Sequence, residues 1–416
     1  MNRVRNRAIP LSIFFSTVFI AVFCDIKAIN SYLVAGAGEM TESESGPMAM
    51  LYLISAVGAF VTGILSYQWR GRKIPASATF ILAWVTLFYF ITLFFFAPPY
   101  TGLVFFVALT LVSFALPYIT QIDGKTFLRS SMLLALPAVF RVNEIFQFSE
   151  YYDSISMGQS YAFLFPVVAA IVYFFIYFRY DSTIWKIISI ILIVVSGVYA
   201  YYLVFFGSRG PVFAMLAVVL FLLVFRPSES GVGIKTKKRG FAFVGTVAVV
   251  VVISFVTLIS VLQDVLADYG ISLYFLDKFL DLESSGDMTN GRQAIYALAF
   301  SDIAQHPFLG MGFDQFFNNH GNITGIAYPH NFIIQILYDG GIVLLLVLGI
   351  PIIKGLKRVW KTCTLNEYAV VTALAFSAVP RALFSGDLWQ NGPLWMLFGI
   401  VLCRGFVVNN KKEYLQ

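Results

Sequence analysis

Four arginines and one histidine are the residues of this chain best suited to chemistry. When flanking charges are used to orient the apolar segments, Arg141, Arg209, Arg292 and Arg381 fall at or near the predicted outer face of a membrane. The remaining basic residues fall almost entirely inside. Arginine at membrane depth is costly and usually marks a partner or a pathway. Several arginines on one face predict a clamp for an anionic lipid head group, with a pyrophosphate as the leading interpretation.

His330 lies at the entrance of a predicted spanning helix, beside Asn331. Because histidine titrates near neutral pH, this imidazole is suited to take a proton from a sugar hydroxyl. A capping or structural imidazole is the alternative. We expect His306, before Pro307, to form a turn and His320 to be a solvent-exposed loop residue.

Two of the arginines occur in local patterns that favour phosphate. Ser208 and Arg209 follow Gly207 between two apolar runs, where small residues let the backbone approach a ligand and a guanidinium can grip phosphate in a bidentate manner. The alternative is a tight turn whose arginine reaches lipid head groups. Arg292 falls in the first turn of a predicted helix, where the helix dipole disfavours a cation unless an anion binds there. A salt bridge to Asp287, Asp281 or Glu283 is the alternative.

Arg141 and Arg381 lie within or at the ends of apolar helices, and the sequence leaves two interpretations open for them. Each has a carboxylate nearby in the chain, Glu144 and Asp387 respectively, with which it could form a structural pair. Substrate binding is the equal alternative.

Composition excludes a soluble globular protein. Of the 416 residues, 59% are hydrophobic and 12% are charged, and the mean hydropathy is +0.81. The net charge of +6 comes from basic residues in short loops between apolar runs, which set orientation and do not indicate nucleic-acid binding. Cys24, Cys363 and Cys403 lie in separate segments, so no disulfide framework is indicated, and no cluster of histidines and carboxylates has the spacing of metal ligands.

The apolar runs predict an all-α polytopic membrane protein with about twelve transmembrane helices, both termini being cytoplasmic by the positive-inside rule. The predicted spans are 9–28, 47–67, 77–97, 100–119, 127–142, 159–178, 184–206, 210–226, 241–262, 331–353, 366–384 and 389–407. One long loop, 263–330, faces outward. It is predicted to hold an interfacial helix rich in acids and a second helix that begins after Thr289 or Asn290 and ends at His306-Pro307.

The order of short motifs resembles the bacterial O-antigen ligase/polymerase superfamily over residues 190–350. The motifs, in chain order, are Ser208-Arg209-Gly210, Gly291-Arg292, His306-Pro307-Phe308-Leu309-Gly310-Met311-Gly312, His330-Asn331 and Gly340-Gly341. The resemblance implies a GT-C-like glycosyltransferase, a single integral membrane domain over 1–416 with part of its active site on the outer loop. It also implies location in the bacterial inner membrane with the site facing the periplasm or cell exterior.

The resemblance further implies substrates and roles. The substrates are sugars on undecaprenyl pyrophosphate, with no cofactor and no metal, and the surrounding partners are membrane lipids, a chain-length regulator and a flippase. Arg209 and Arg292 resemble the arginines that grip pyrophosphate, and His330 resembles the residue that activates or orients the acceptor hydroxyl. Asn331 would position that histidine, and the glycines at 310 and 312 would shape the loop. Our interpretation assigns seven residues to substrate binding: Arg141, Arg381, Ser208, Asn331, Tyr328, Gly310 and Gly312.

Four functions follow from this interpretation, in decreasing order of preference. A polymerase would join lipid-linked repeat units, and a ligase would transfer the finished glycan to lipid A-core. The acid-rich stretch Asp264 to Asp287 slightly favours a polymerase, because its negative charge would repel the phosphate-rich lipid A-core. A transporter of lipid-linked oligosaccharide is disfavoured, because residues 1–200 and 200–416 show no matching repeat. A structural scaffold would leave the arginines unexplained.

Overall fold

The computed structural model describes residues 10–33, 42–68, 74–136, 157–228, 233–238, 240–242, 265, 268 and 292–403. Within them, apolar helices pack into one bundle around an aromatic-rich core. The helices are α1 (Leu11–Leu33), α2 (Glu42–Leu65), α3 (Ala76–Phe95), α4 (Leu103–Ile119, π-helical over Phe106–Val112), α5 (Gly124–Leu133), α6 (Met157–Ile176), α7 (Thr183–Phe206), α8 (Arg209–Val224), α9 (Arg292–Gln305), α10 (Phe316–Thr324), α11 (Phe332–Thr362), α12 (Leu365–Phe384) and α13 (Gly392–Leu402).

The architecture is that of an all-helical membrane protein. Four helices, α3, α7, α11 and α12, are long and apolar enough to cross a bilayer, and several others are apolar but shorter. The total of about twelve spans stays a prediction, since predicted span 241–262 lies almost entirely outside the described residues. The span predicted over 127–142 is represented by α5, which begins earlier because the Asp123 carboxylate caps it, accepting a hydrogen bond from the Thr126 amide at 2.8 Å.

One small element departs from the all-helical prediction. Strands β1 (Phe225–Pro227) and β2 (Ile234–Thr236) form an antiparallel pair after α8, with Phe225 opposite Thr236. The pair is tied to the start of α12 and the end of α11, because the Tyr368 hydroxyl donates to the Phe225 carbonyl at 2.9 Å and the Gly233 amide donates to the Cys363 carbonyl at 2.8 Å.

Contacts between connecting segments define two ends of the bundle. At one end, here called the basic end, Lys125 and Arg129 on α5 form ion pairs with Asp181, just before α7. At the other end, here called the site end, loop 97–101 contacts the segment before α10: Gln315 donates to the Ala97 carbonyl at 2.8 Å. The alternation of loop charges along the whole chain, and which end faces outward, stay predictions.

Helix α11 is broken in its first half, and another part of the chain repairs the break. Gly341 has φ 60° and ψ −158°, which interrupts the helix. The amides of Met311 and Gly312 donate to the carbonyls of residues 338 and 339 at 2.7 and 2.9 Å. In return, the amides of Ile342 and Val343 donate to the carbonyls of residues 307 and 308 at 2.9 and 3.2 Å. Backbone amides and carbonyls at membrane depth must form hydrogen bonds within the protein. Segment 307–312 supplies the partners that the break in α11 leaves missing.

Phe313 anchors the same segment inside the bundle. Its side chain is fully buried, with its ring centroid 3.9 Å from that of Trp389 and 5.1 Å from that of Tyr89. Its amide donates to the Thr92 hydroxyl at 2.8 Å. The chain between α9 and α10 is thereby held against α3, α11 and the loop before α13.

We predict that Gly341→Ala destabilises the protein by about 3 kcal/mol, because this backbone conformation is restricted almost entirely to glycine and overpacking adds to the cost. A Cβ at Gly341 would collide with the backbone of Phe308. Thermal unfolding of purified protein measures the effect.

Gly349→Ala is the matched control in the same helix, because a Cβ there meets nothing within 4 Å. We expect this variant to unfold at the wild-type temperature or slightly above it. Equal unfolding temperatures for both variants would contradict the role assigned to the helix break.

Candidate active site

Arg292 and His330 lie within electrostatic range of each other at the site end of the bundle. Arg292 is the first residue of α9, and His330 lies two residues before α11. Burial, followed by the positive charge of Arg292, lowers the pKa of His330 to about 4. The imidazole is therefore neutral at physiological pH, as a proton acceptor must be. Among the described residues, its Nδ1 is buried with no hydrogen-bond partner.

The backbone of His330 is held in an uncommon conformation, with φ 55°. For a residue with a side chain this left-handed region costs roughly 1–3 kcal/mol and persists only where the surrounding structure imposes it. Asn331 supplies one such constraint: its side-chain oxygen accepts hydrogen bonds from the amides of Ile333 and Ile334 at 3.0 and 3.2 Å. Asn331 thus caps α11 directly after the histidine, and the hydrogen bonds it makes are to the helix. A substrate contact by Asn331 stays a prediction.

Tyr328 connects His330 to the end of α12. Its ring centroid lies 4.8 Å from that of His330, edge to face, and its hydroxyl donates to the Ser385 carbonyl at 3.1 Å. Burial and the negative charge of Asp387 raise the pKa of Tyr328 to about 12, against the opposing effects of Arg381 and Arg292. Both arginines therefore lie within electrostatic range of one phenol.

Arg209 is connected to the site by its neighbour Gly210, which lies against Tyr161. It is the first residue of α8, and a side chain on Gly210 would collide with the Tyr161 hydroxyl, so this helix terminus lies against Tyr161. Tyr161 in turn lies within electrostatic range of Arg292 and Arg381. The Ser208 amide donates to Ser160 Oγ at 3.2 Å, whereas Ser208 Oγ is buried with no hydrogen-bond partner in the described part of the chain.

Asp387, the carboxylate that the sequence offers as a structural partner for Arg381, is held by other groups. It accepts hydrogen bonds from the Gln335 side chain at 2.7 Å and from the Trp389 amide at 2.9 Å. Arg381 lines a small, partly open cavity that Tyr161 also lines. Substrate binding remains the prediction for this arginine.

Gly310 and Gly312 lie in the segment that repairs α11. Gly310 has φ 67°, and a side chain there would collide with the Asp339 carbonyl. Gly312 has φ 101° and donates its amide to that carbonyl. The contacts observed for both glycines are thus structural, and the predicted contact with substrate is untested.

Some of the predicted residues lie outside the part of the chain that the structure describes. They are Arg141, the acidic partners proposed for Arg292 and most of the predicted interfacial helix.

The prediction that His320 is an exposed loop residue is wrong. His320 belongs to α10, is largely buried, and its Nε2 lies 2.7 Å from an Asp302 carboxylate oxygen that also accepts from the Tyr338 hydroxyl. This pair fastens α10 to α9 and α11.

Sequence reasoning missed Tyr161 and Ser385, which lie far along the chain from the motifs they contact. Tyr161 belongs to an apolar helix and reads as an ordinary buried aromatic residue. No spacing connects it with Gly210 or Arg381, so tertiary packing alone reveals it.

Together these residues can bind an anion and accept a proton. Arg292 lies within electrostatic range of a neutral imidazole, and α8 and α9 begin at Arg209 and Arg292, at the kind of helix N-terminus that binds phosphate. Stabilisation of a phosphate leaving group and removal of a hydroxyl proton can therefore occur side by side.

The comparison with protein families gives one match. Residues 194–349 match a family model described as O-antigen ligase, and this confirms the resemblance seen in the motifs. The matched region contains Arg209, Arg292 and His330, whereas Arg381 and Tyr161 lie outside it. No curated protein matches the chain.

We predict that Arg292→Gln raises the pKa of His330 from about 4 towards the ordinary value of about 6.5. Removal of the cation leaves only burial to oppose protonation of the imidazole. Nuclear magnetic resonance of labelled histidines measures the titration, and assignment is simple because the chain has 3 histidines.

Lys357→Gln removes the same charge from an exposed side chain in the second part of α11, about 24 Å beyond the break at Gly341 at 1.5 Å per helical residue. This control should leave the titration of His330 unchanged. An unchanged titration in Arg292→Gln as well would show that the two side chains do not interact.

Proposed function

We propose, from the match of residues 194–349 to the O-antigen ligase family, that this chain is a membrane glycosyltransferase of the ligase/polymerase type. Its specific reaction is the polymerisation of undecaprenyl-pyrophosphate-linked oligosaccharide repeat units into surface polysaccharide at the outer face of the bacterial inner membrane. The observation that carries this proposal is the neutral imidazole of His330 beside Arg292, with Arg381 and the start of α8 in the same site.

The donor supplies its own leaving group. In the proposed reaction the bond between the anomeric carbon and the pyrophosphate oxygen breaks, and undecaprenyl pyrophosphate departs with the bonding electrons. Arg209 and Arg292 stabilise the negative charge that develops, helped by the first-turn amides of their helices. Electrostatic stabilisation of this kind is usually the largest contribution to rate. No metal or cofactor is part of this scheme.

The acceptor hydroxyl attacks the face opposite the leaving group, so the anomeric configuration inverts. Its proton passes to His330. In the free protein the low pKa of this imidazole makes it a weak base. A pyrophosphate bound at Arg292 would offset the positive potential and raise the pKa of His330, since a nearby anion favours the charged imidazolium. Donor binding would thus activate the base.

The ligase is the second candidate, and the description of the matched family favours it. Ligase and polymerase share the donor and differ in the acceptor, which is lipid A-core or another lipid-linked repeat unit. Purified protein given lipid-linked repeat units, with and without lipid A-core, separates them. Growth of a ladder of glycan products without lipid A-core identifies a polymerase, and products formed only with lipid A-core identify a ligase.

Within the proposed polymerase pathway, a flippase delivers substrate and a chain-length regulator limits the length of the product.

We predict that Arg292→Ala and Arg209→Ala each lower the transfer rate about a hundredfold, the typical cost of one lost contact to developing charge. In a deletion strain complemented with either variant, a polymerase would leave surface polysaccharide of a single repeat, and a ligase would leave none attached. Gel analysis of the extracted polysaccharide gives the pattern.

Arg179→Ala is the control, because Arg179 is an exposed arginine at the basic end. It should restore full-length polysaccharide. A transporter predicts another outcome: Arg209→Ala and His330→Ala would block movement of lipid-linked oligosaccharide while glycan assembly on accessible substrate continued.

We predict that kcat/KM and kcat both fall at low pH but with different midpoints. The acid limb of the kcat/KM profile reports the free protein and should have its midpoint near pH 4. The acid limb of the kcat profile reports the donor complex and should have its midpoint at higher pH. His330→Gln should lower kcat by roughly 10²–10⁴-fold and abolish both limbs. Coincident limbs in the wild type would refute activation of the base by donor binding.

A further inference from the structure

Helix α9 runs beside the first part of α11 and in the same direction. At the start of both helices, Arg292 lies within electrostatic range of His330. About one turn farther along α9, Ile295 is buried in one cluster with Tyr338, which belongs to α11. Segment 307–312, which follows α9, then forms backbone hydrogen bonds with α11 on both sides of its break. These three contacts follow the same order in both helices, so α9 runs along α11 towards the break.

The depth of segment 307–312 in a bilayer follows from α11, which is long and apolar enough to cross one. Lys354 is the first charged residue of α11 after the break, and its exposed ammonium group belongs at the membrane surface. Gly341 lies about 20 Å before Lys354, at 1.5 Å per helical residue. The hydrocarbon core is roughly 30 Å thick, so this spacing puts the break and the segment bonded to it within the core. The sequence predicts the same segment outside the membrane, in loop 263–330.

Two large apolar side chains of segment 307–312 are exposed at that depth. Phe308 and Leu309 have relative exposures of 68% and 69%. The Phe308 carbonyl accepts a hydrogen bond from the Val343 amide at 3.2 Å, which holds the pair beside Ile342. Ile342 begins a stripe of exposed aliphatic side chains along α11, continued by Leu346, Ile350 and Ile353. Phe308 and Leu309 thus extend the apolar surface that α11 presents to lipid.

The exposed face of α9 is also compatible with lipid. The small or apolar residues that recur there at helical spacing are Ala294, Ala297, Phe300 and Ala304. Two polar side chains in the second half of the helix have partners within the protein, as hydrocarbon requires. The Asp302 carboxylate accepts a hydrogen bond from the Tyr338 hydroxyl at 3.0 Å, and the Gln305 side chain donates to the Ser301 carbonyl at 3.4 Å.

We infer that α9 and segment 307–312 are re-entrant: they enter the bilayer from the site end, and Phe308 and Leu309 contact phospholipid acyl chains. Acyl chains are the partner because the exposed surface is apolar, lies at the depth of the hydrocarbon core and continues the stripe along α11. Arg292, at the start of α9, then lies near the lipid head groups, with segment 307–312 deeper. This placement is independent of the proposed reaction.

Spin labels on single cysteines test the placement in nanodiscs of phosphatidylcholine. Electron paramagnetic resonance measures collisions of each label with oxygen, which concentrates in hydrocarbon, and with a nickel chelate, which stays in water. The variants, each replacing an exposed residue, are Ala294→Cys, Ala297→Cys, Ala304→Cys and Leu309→Cys. We expect the ratio of oxygen to nickel collisions to rise severalfold from the first of them to the last. The wild-type protein is the labelling blank, because its three cysteines are buried.

Two reference positions calibrate the depth. Ile342→Cys in α11 should match Leu309→Cys to within one helical turn, about 5 Å, and Arg179→Cys at the basic end should show full access to nickel. Phe308→Cys repeats the measurement if Leu309→Cys does not fold. High nickel access at every position of α9 and segment 307–312 would place them in water and overturn the inference. Labels shielded from both oxygen and nickel would overturn it as well, because protein rather than lipid would then cover this surface.

Discussion

The exchange of backbone hydrogen bonds between segment 307–312 and the broken start of α11 is the interaction on which the site depends. A helix interrupted at membrane depth exposes carbonyls and amides that lipid cannot satisfy. Here the carbonyls of Tyr338 and Asp339 and the amides of Ile342 and Val343 all find partners in one short segment. Gly310 and Gly341 allow the two segments to approach each other closely, and Phe313 fixes segment 307–312 within the bundle.

This arrangement explains why the reactive groups lie at helix starts. The break sets the direction of the first part of α11, which begins immediately after His330. The same segment follows α9, so the position of Arg292 at the other end of α9 is coupled to that of the histidine. The pair formed by Asp302 and His320 adds a second link between α9, α10 and α11. The proposed anion site and the proposed proton acceptor thus share one support.

The sequence predicts the helices well and the site only in part. Apolar runs and flanking charges place α12 within a residue, predicted at 366–384 and found at Leu365–Phe384, because a mainly apolar stretch of this length between charged loops leaves little choice. Helix α9 ends at Gln305, directly before the predicted stop at His306-Pro307, whereas the predicted cap at Thr289 or Asn290 lies outside the described residues. The break at Gly341 and its partner segment could not be predicted, since the contact joins residues about thirty apart and neither stretch signals the other. Asn331 was assigned to positioning His330 although its residue type already favours the helix cap that it forms.

The division between matched and unmatched parts of the chain has an evolutionary consequence. The groups proposed to handle phosphate and proton fall within residues 194–349, while the walls of the cavity come from helices on either side of that block. Substitutions in those flanking helices can therefore reshape the cavity without altering the groups proposed to handle phosphate and proton. The two parts of the protein are free to diverge at different rates.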